Sequence, residues 1–406
     1  MSLNVRPILS ALLRNRTGAV LVAMQIALAL AVLVNALYIV VQRVEKMQRS
    51  TGIDVDNVIV VATSGLNDRY DSVAATRVDL DYLRGVDGVV AASAIGGIPL
   101  SDGGNAEPLV TTPDGNRADS YNSFEFDEAA LDALGVHLAE GRNFRHDEIQ
   151  PPLTKEDAAR PIAQIIITRA LGERLFPGQD PLGKVVYDSL KRPSTIIGVV
   201  DPMLGAFVNS PHPDWVYLKP RAPTTFIAGV NYFVRTRPGA RDGVMRVIEE
   251  HLNQTNPDRV IHWVRPLSYF KNLSYLWDRA MSIYLLTVTA LVIGVSTLGI
   301  FALATFNVST RTKQIGTRRA VGARRRDIVR YFLIENGLIT SAGVLVGCAL
   351  ALATGYWLSL HYALPRLNLY YLVGGVLALW GIGQLAAWQP ARRAAAVSPA
   401  VATRTV

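Results

Sequence analysis

From Ala19 to Val41 the chain runs 23 residues without a charge, and only Gln25 and Asn35 are strongly polar. As a helix that run is about 34 Å long, enough to cross a hydrocarbon core of roughly 30 Å. Three more apolar runs follow, from Ala280 to about Asn307, from about Ile328 to Leu360, and from Leu369 to Trp388. The first run is too long for a signal-peptide core, and no small-residue cleavage site follows it. We therefore expect four transmembrane helices at 18–41, 280–307, 328–360 and 369–388. The third starts amphipathically and contains Glu335 and Asn336, which we expect to face protein or the membrane interface, because charge at bilayer depth is costly.

The chain carries 41 Lys and Arg against 33 Asp and Glu, a formal charge of +8. Arg6, Arg14 and Arg16 lie in residues 1–17, eight basic residues in 307–330, and Arg392, Arg393 and Arg404 in 389–406. Residues 361–368 hold one, Arg366, while 42–279 hold 26 basic and 31 acidic residues. The positive-inside rule then places an N-terminal helix (1–17), the 308–327 loop and the 389–406 tail in the cytoplasm. Residues 42–279 and the 361–368 loop fall outside. The positive excess is thus a topology signal, and no nucleic-acid partner is expected for an acidic outer segment.

The fold class this predicts is an α-helical membrane protein with a large extracytoplasmic α/β domain, two-lobed, between its first and second spans. Within that domain we expect strands at Asn57–Thr63, Val89–Ala94, Ile162–Ile167, Trp215–Leu218, Tyr232–Thr236 and Arg259–Val264. Helices are expected at Tyr70–Leu83 and Arg241–Leu252, and a hairpin joins Lys184–Tyr187 to Ser194–Val200. The stretch from Ser101 to Pro161, rich in Asp, Gly and Pro, is the expected inserted lobe.

Chemistry-bearing patterns are few. The single Cys348 excludes an internal disulfide, and the six histidines show no metal-ligand spacing. Gly178–Lys184 matches a phosphate-loop pattern, but Val185 stands where that loop needs Ser or Thr, and helix precedes strand rather than following it. Asp79/Asp81, Asp147/Glu148 and Glu249/Glu250 read as solvated acidic pairs. We expect no catalytic residue, no metal and no cofactor in this chain.

The most specific stretch is RTKQIGTRRAVGARRRDIVRYFLIEN, from Arg311 to Asn336. Its first half reads as a basic amphipathic helix broken at Gly322, with Ile315, Ala320 and Val321 on one side. One reading is a helix lying on anionic membrane lipid; the other is a lever that docks into a partner. Gly343-Val-Leu-Val-Gly347 is a GxxxG motif for close packing of the third span, with Gly343 and Gly347 as its contact residues.

QIGTRRAVGA resembles the E-I-G-x-x-R-A-x-G-A signature of permeases of the MacB/FtsX type, and Pro390–Pro399 resembles their closing P-x-x-R-A-x-x-x-x-P. Leu134–Phe144, Leu175–Lys184 and Ile196–Val200 are similar to stretches of the MacB-like periplasmic core domain. The resemblance covers essentially the whole chain in order. It implies a bacterial inner-membrane permease that works by mechanotransmission, without passing solute through its spans. It implies coupling to an ATPase through Gln314, Ile315, Gly316, Arg318, Arg319, Ala320, Gly322 and Ala323. The family's usual Glu is Gln314 here. No fused ATPase domain is visible, so a separate ABC ATPase subunit carrying ATP and Mg is expected, together with a second permease chain. A periplasmic adaptor and outer-membrane duct are implied for efflux of antibiotics, peptides or other periplasmic substrates. A regulatory mechanotransmitter and a lipoprotein-releasing permease are the alternatives within the family.

Overall fold

The computed structural model describes residues 16–67, 70–152, 160–223, 229–362 and 367–398. Most of the expected N-terminal helix, the tip of the 361–368 loop, Pro399 and the end of the tail lie outside the described residues. The chain divides into two compact units: Arg49–Leu276, and the segments up to Gln48 and from Trp277 onward.

Helix α1 is Arg16–Gln48. The outer unit then opens with β1 (Val58–Gly65), α2 (Ser72–Gly85) and β2 (Val89–Ala94). Asp71 starts α2 by accepting from the Val73 and Ala74 backbone N–H groups at 3.1 and 3.0 Å. Next come β3 (Asn105–Glu107), β4 (Tyr121–Phe126), α3 (Ala130–Leu134), β5 (Leu138–Gly141), β6 (Gln164–Thr168) and α4 (Arg169–Leu175). The unit closes with β7 (Val185–Tyr187), β8 (Pro193–Val200), β9 (Val216–Pro220), β10 (Val230–Thr236), α5 (Arg241–Thr255), β11 (Arg259–Pro266) and α6 (Leu267–Ser274).

Two sheets organise this unit. The first, ordered β11-β1-β10-β2, is antiparallel throughout. With α2 and α5 it makes a β-α-β-β-α-β lobe of ferredoxin-like topology. Ile59, Val61, Tyr232 and Val234 on its strands pack against Leu80 and Leu83 of α2 and Val244, Ile248 and Leu252 of α5. Fully burying such side chains contributes about 1.5–3 kcal/mol each. The second sheet is ordered β3-β4-β9-β6-β8-β5, with β7 on β8. It draws on residues from Asn105 to Pro220, so the insertion into the first lobe is far larger than Ser101–Pro161. β6, β8 and β9 are visible as strands in the sequence, but the pairing of β9 with β4 is long-range and leaves no local pattern. The turn-rich composition had also hidden β4, whose six residues are all buried.

Asp79 is not the solvated acid expected: it is 3 % exposed, ion-paired with Arg259 and accepting from the Tyr232 hydroxyl at 2.7 Å. Burial raises its pKa, against the pull of Tyr232 and Arg259. Glu148 is likewise paired, to Arg142 at 2.6 Å. Glu249 and Glu250 are exposed as expected.

The second unit continues with α7 (Leu276–Thr310), α8 (Thr312–Ala320), α9 (Arg325–Tyr362) and α10 (Leu369–Ala396). Among the described residues α1, α7, α9 and α10 are long and apolar enough to cross a membrane. α1 is the most enclosed, with half of its most apolar window buried. Asn35 on α1 is satisfied by α9, donating to the Ala351 carbonyl at 3.2 Å and the Thr354 hydroxyl at 3.0 Å.

One helix runs past the expected end of its span. α10 does not stop at Trp388 but runs through Pro390 to Ala396, because Ala391, Ala394 and Ala395 are buried against Ile315, Ile328 and Phe332. Between β11 and the second span, α6 ends at Ser274 and α7 begins at Leu276.

Candidate functional site

The basic segment between α7 and α9 forms a short helix with defined ends. α8 ends in a Schellman cap: the Gly322 N–H bonds the Arg319 carbonyl at 3.1 Å, and the Ala323 N–H bonds the Arg318 carbonyl at 3.0 Å. Gly322 has φ +101°, which a residue with a Cβ resists. The Gly-Ala pair of the motif is therefore a helix stop. Asp327 then accepts from the Arg324 backbone N–H at 3.0 Å, starting α9 on the other side of the turn.

Three side chains fasten α8 to the helices behind it. Arg311, at its N-terminus, ion-pairs with Glu335 of α9 at 2.9 Å and donates to the Tyr331 hydroxyl at 3.4 Å. Glu335 is 2 % exposed, so its carboxylate faces protein and its place at depth is offset by Arg311. The Arg318 guanidinium lies 4.8 Å from the centre of the Tyr331 ring. Arg319 donates to the Ala395 and Val397 carbonyls at 3.2 and 2.5 Å, capping the end of α10. Between these polar ties Ile315 is buried among Ile328, Phe332 and the α10 alanines. Neighbouring Asn336 donates to the Gly383 carbonyl at 3.0 Å and joins α9 to α10.

The other face of α8 is open. Gln314, Ala320 and Gly322 are exposed, and Val321 is 85 % exposed. Ile315 and Gly316 are buried, Arg319 and Ala323 half-buried. Ile315 thus faces inward without Ala320 and Val321, contrary to the one-sided stripe expected. A nine-residue helix turns only about two and a half times, so its last residues swing away from the face set by Ile315. The fastening residues Tyr331 and Glu335 were not assigned to the coupling surface from sequence. Their i, i+4 spacing on α9 was the available signal.

Gly343 and Gly347 of α9 meet α1. A Cβ on Gly343 would sit 2.6 Å from the Ala23 carbonyl oxygen, and one on Gly347 would sit 3.0 Å from the Ala27 Cα. In the outer unit the Gly178–Lys184 stretch is a turn from α4 to the β7–β8 hairpin, with positive φ at Gly178 and Gly183. Elsewhere in the outer unit a cavity of about 470 Å³ is lined by Glu107, Lys219, Glu125 and Arg221, among others. These charges face one another: Lys219 is 2.7 Å from Glu107, and Arg221 is 3.9 Å from Glu125. Burial disfavours the Glu107 carboxylate, but Lys219, Tyr217 and Ser123 outweigh it and hold its pKa below the usual range. Among the described residues no group of three or more His, Cys, Asp or Glu is placed to hold a metal.

Residues 17–250 match the family model of the MacB-like periplasmic core domain, and residues 286–399 match that of the FtsX-like permease C-terminal region. The chain belongs to the MacB-like ABC transporter permease family. The macrolide export ATP-binding/permease protein MacB of Neisseria gonorrhoeae is 28 % identical over 67 % of this chain and 42 % of its own length. The probable syringafactin export ATP-binding/permease protein SyfD of Pseudomonas syringae is 26 % identical over 60 % of this chain and 38 % of its own. This chain therefore spans about four tenths of the curated relatives it matches. The periplasmic region of MacB from Actinobacillus actinomycetemcomitans aligns with 56 % of this chain and 97 % of its own at 16 % identity and a TM-score of 0.33. Permeases of this family are membrane proteins with a periplasmic domain, and Arg49–Leu276 is that domain here.

Proposed function

We propose that this chain is the transmembrane subunit of a MacB-like ABC transporter, turning ATP hydrolysis on a partner ATPase subunit into movement of its periplasmic domain. α8 is the docking helix. The observation that carries this reading is the fastening of α8 to both α9 and α10 while Gln314, Ala320 and Val321 stay exposed. A helix held at Arg311, Ile315, Arg318 and Arg319 moves with the membrane helices instead of sliding over them. The alternating basic segments support cytoplasmic termini and a cytoplasmic α8, where ATP is available. The export names of the relatives support efflux of amphiphilic antibiotics or peptides from the periplasm, by a pair of such permeases working with an adaptor and an outer-membrane duct.

The test is capture of an ABC ATPase from gently solubilised membranes, identified by mass spectrometry. Wild-type chain brings down the ATPase, and Val321→Asp, which alters only the open face, does not. Equal capture by both would remove α8 as the docking helix. Co-purified lipid-modified proteins in place of an adaptor would change the cargo assigned.

A further inference from the structure

A second feature lies on the same side of the membrane unit. α9 and α10 enclose an open groove of about 1030 Å³, distinct from the docking face of α8. Arg325, Arg326 and Arg330 of α9 and Arg392 of α10 line one end. No acidic side chain is paired with any of them among the described residues. The remainder of the groove is apolar, with Leu333, Trp380, Leu385 and Trp388. Trp380 and Trp388 are 44 % and 49 % exposed, and Leu385 is 75 % exposed. From Arg392 to Trp380 the groove follows about 18 Å of helix. Trp388 lies one turn from Arg392, where an indole marks the boundary between headgroup and hydrocarbon. Partway along, the Gln384 side-chain nitrogen is buried with no hydrogen-bond partner among the described residues.

We propose that this groove is a binding site for one anionic phospholipid. The four guanidinium groups take its phosphate, and the Trp and Leu wall takes an acyl chain. Four uncompensated positive charges favour an anionic headgroup over a zwitterionic one, and basic pockets between membrane helices on the cytoplasmic side recognise such lipids. An apolar wall of bilayer depth favours lipid over a soluble protein partner. The site rests on the membrane orientation proposed above and extends it. It places a lipid across α9 and α10, the two helices to which α8 is fastened, so the bound lipid holds together the frame behind the docking helix.

The experiment is native mass spectrometry of the delipidated full chain, titrated with phosphatidylglycerol or with phosphatidylcholine of the same acyl chains. It needs no ATPase, so its failure is separate from failure of ATPase capture. Wild-type protein retains one phosphatidylglycerol and releases phosphatidylcholine. The triple variant Arg326→Gln/Arg330→Gln/Arg392→Gln weakens that retention by roughly 100-fold. Gly381 lines the same groove, and a Cβ there meets nothing within 4 Å. Gly381→Leu therefore extends into the groove from an open Cβ position, keeps every charge, and abolishes retention, and it carries the test if the triple variant does not fold. Equal retention of both lipids, or undiminished retention by Gly381→Leu, overturns the site. Loss of ATPase capture in the triple variant with lipid retention intact would make the arginines a protein-docking surface instead, and overturn it too.

Discussion

Arg311 and Glu335 carry the tightest constraint at the scale of single residues. Arg311→Ala leaves a carboxylate that is 2 % exposed without its cation, and we predict a loss of about 3 kcal/mol in detergent unfolding. Arg311→Met/Glu335→Leu recovers most of that loss, because the desolvation cost disappears with the charges. Recovery of stability without recovery of ATPase coupling would separate the two roles of the pair. A second ion pair gives the periplasmic domain a pH signature. Hydrogen bonds from Arg142, assisted by the Arg145 backbone N–H, lower the Glu148 pKa from 4.5 to about 2. A depressed folded-state pKa means that the stabilisation is complete above the ordinary carboxylate range and is lost as pH falls from about 4.5 towards 2. Glu148→Gln should remove that part of the acid sensitivity. Thermal unfolding of the two proteins between pH 3 and pH 6 (a window set by these pKa values) checks it, and parallel curves would contradict the pairing.

At the scale of elements, the α1–α9 contact makes a controlled prediction. Gly343→Leu drives a side chain into the Ala23 backbone and should cost about 1–3 kcal/mol or more, whereas a Cβ at Gly374 meets nothing within 4 Å and Gly374→Leu should cost little. Equal melting temperatures for the two would remove the close contact. The four spans and most strands were legible in the sequence because burial writes a local period there: unbroken apolar runs for helices in lipid, short β-branched runs such as Val58–Val61 for buried strands. The second sheet was only partly legible. Its central pairings join Tyr121–Phe126 to Val216–Pro220 across some ninety residues, and pairing partners leave no mark on a strand's own composition. At α8 the motif was legible as a resemblance, but the contacts its residues make were not. Arg318 and Arg319 read as surface charges, yet Arg318 meets the Tyr331 ring of α9, and the carbonyls that Arg319 reaches exist as a helix end only because α10 continues past Pro390.

On the scale of the whole molecule, the chain crosses between its two units twice, after Gln48 and after Leu276. Each unit ties the two crossings together on its own side. In the membrane unit Asp278 of α7 pairs with Arg43 and with Lys46 of α1, the latter at 2.8 Å. In the periplasmic unit Arg49 donates to the Tyr275 hydroxyl at 3.2 Å. On the function proposed above, these ties make the two crossings the route by which movement of α1 and α7 would reach the periplasmic domain. Asp278→Asn should leave ATPase capture intact and weaken transmission. The central claim is that transmission, and one measurement addresses it directly. With Cys348 replaced by Ser, spin labels on exposed Leu190 in the β7–β8 turn and Val247 on α5 report the separation of the two lobes by pulsed dipolar spectroscopy in nanodiscs with the partner ATPase. The account predicts a distance distribution that shifts when ATP is trapped and stays fixed in Val321→Asp. ATP hydrolysis with no shift, or the same shift in Val321→Asp, would contradict it.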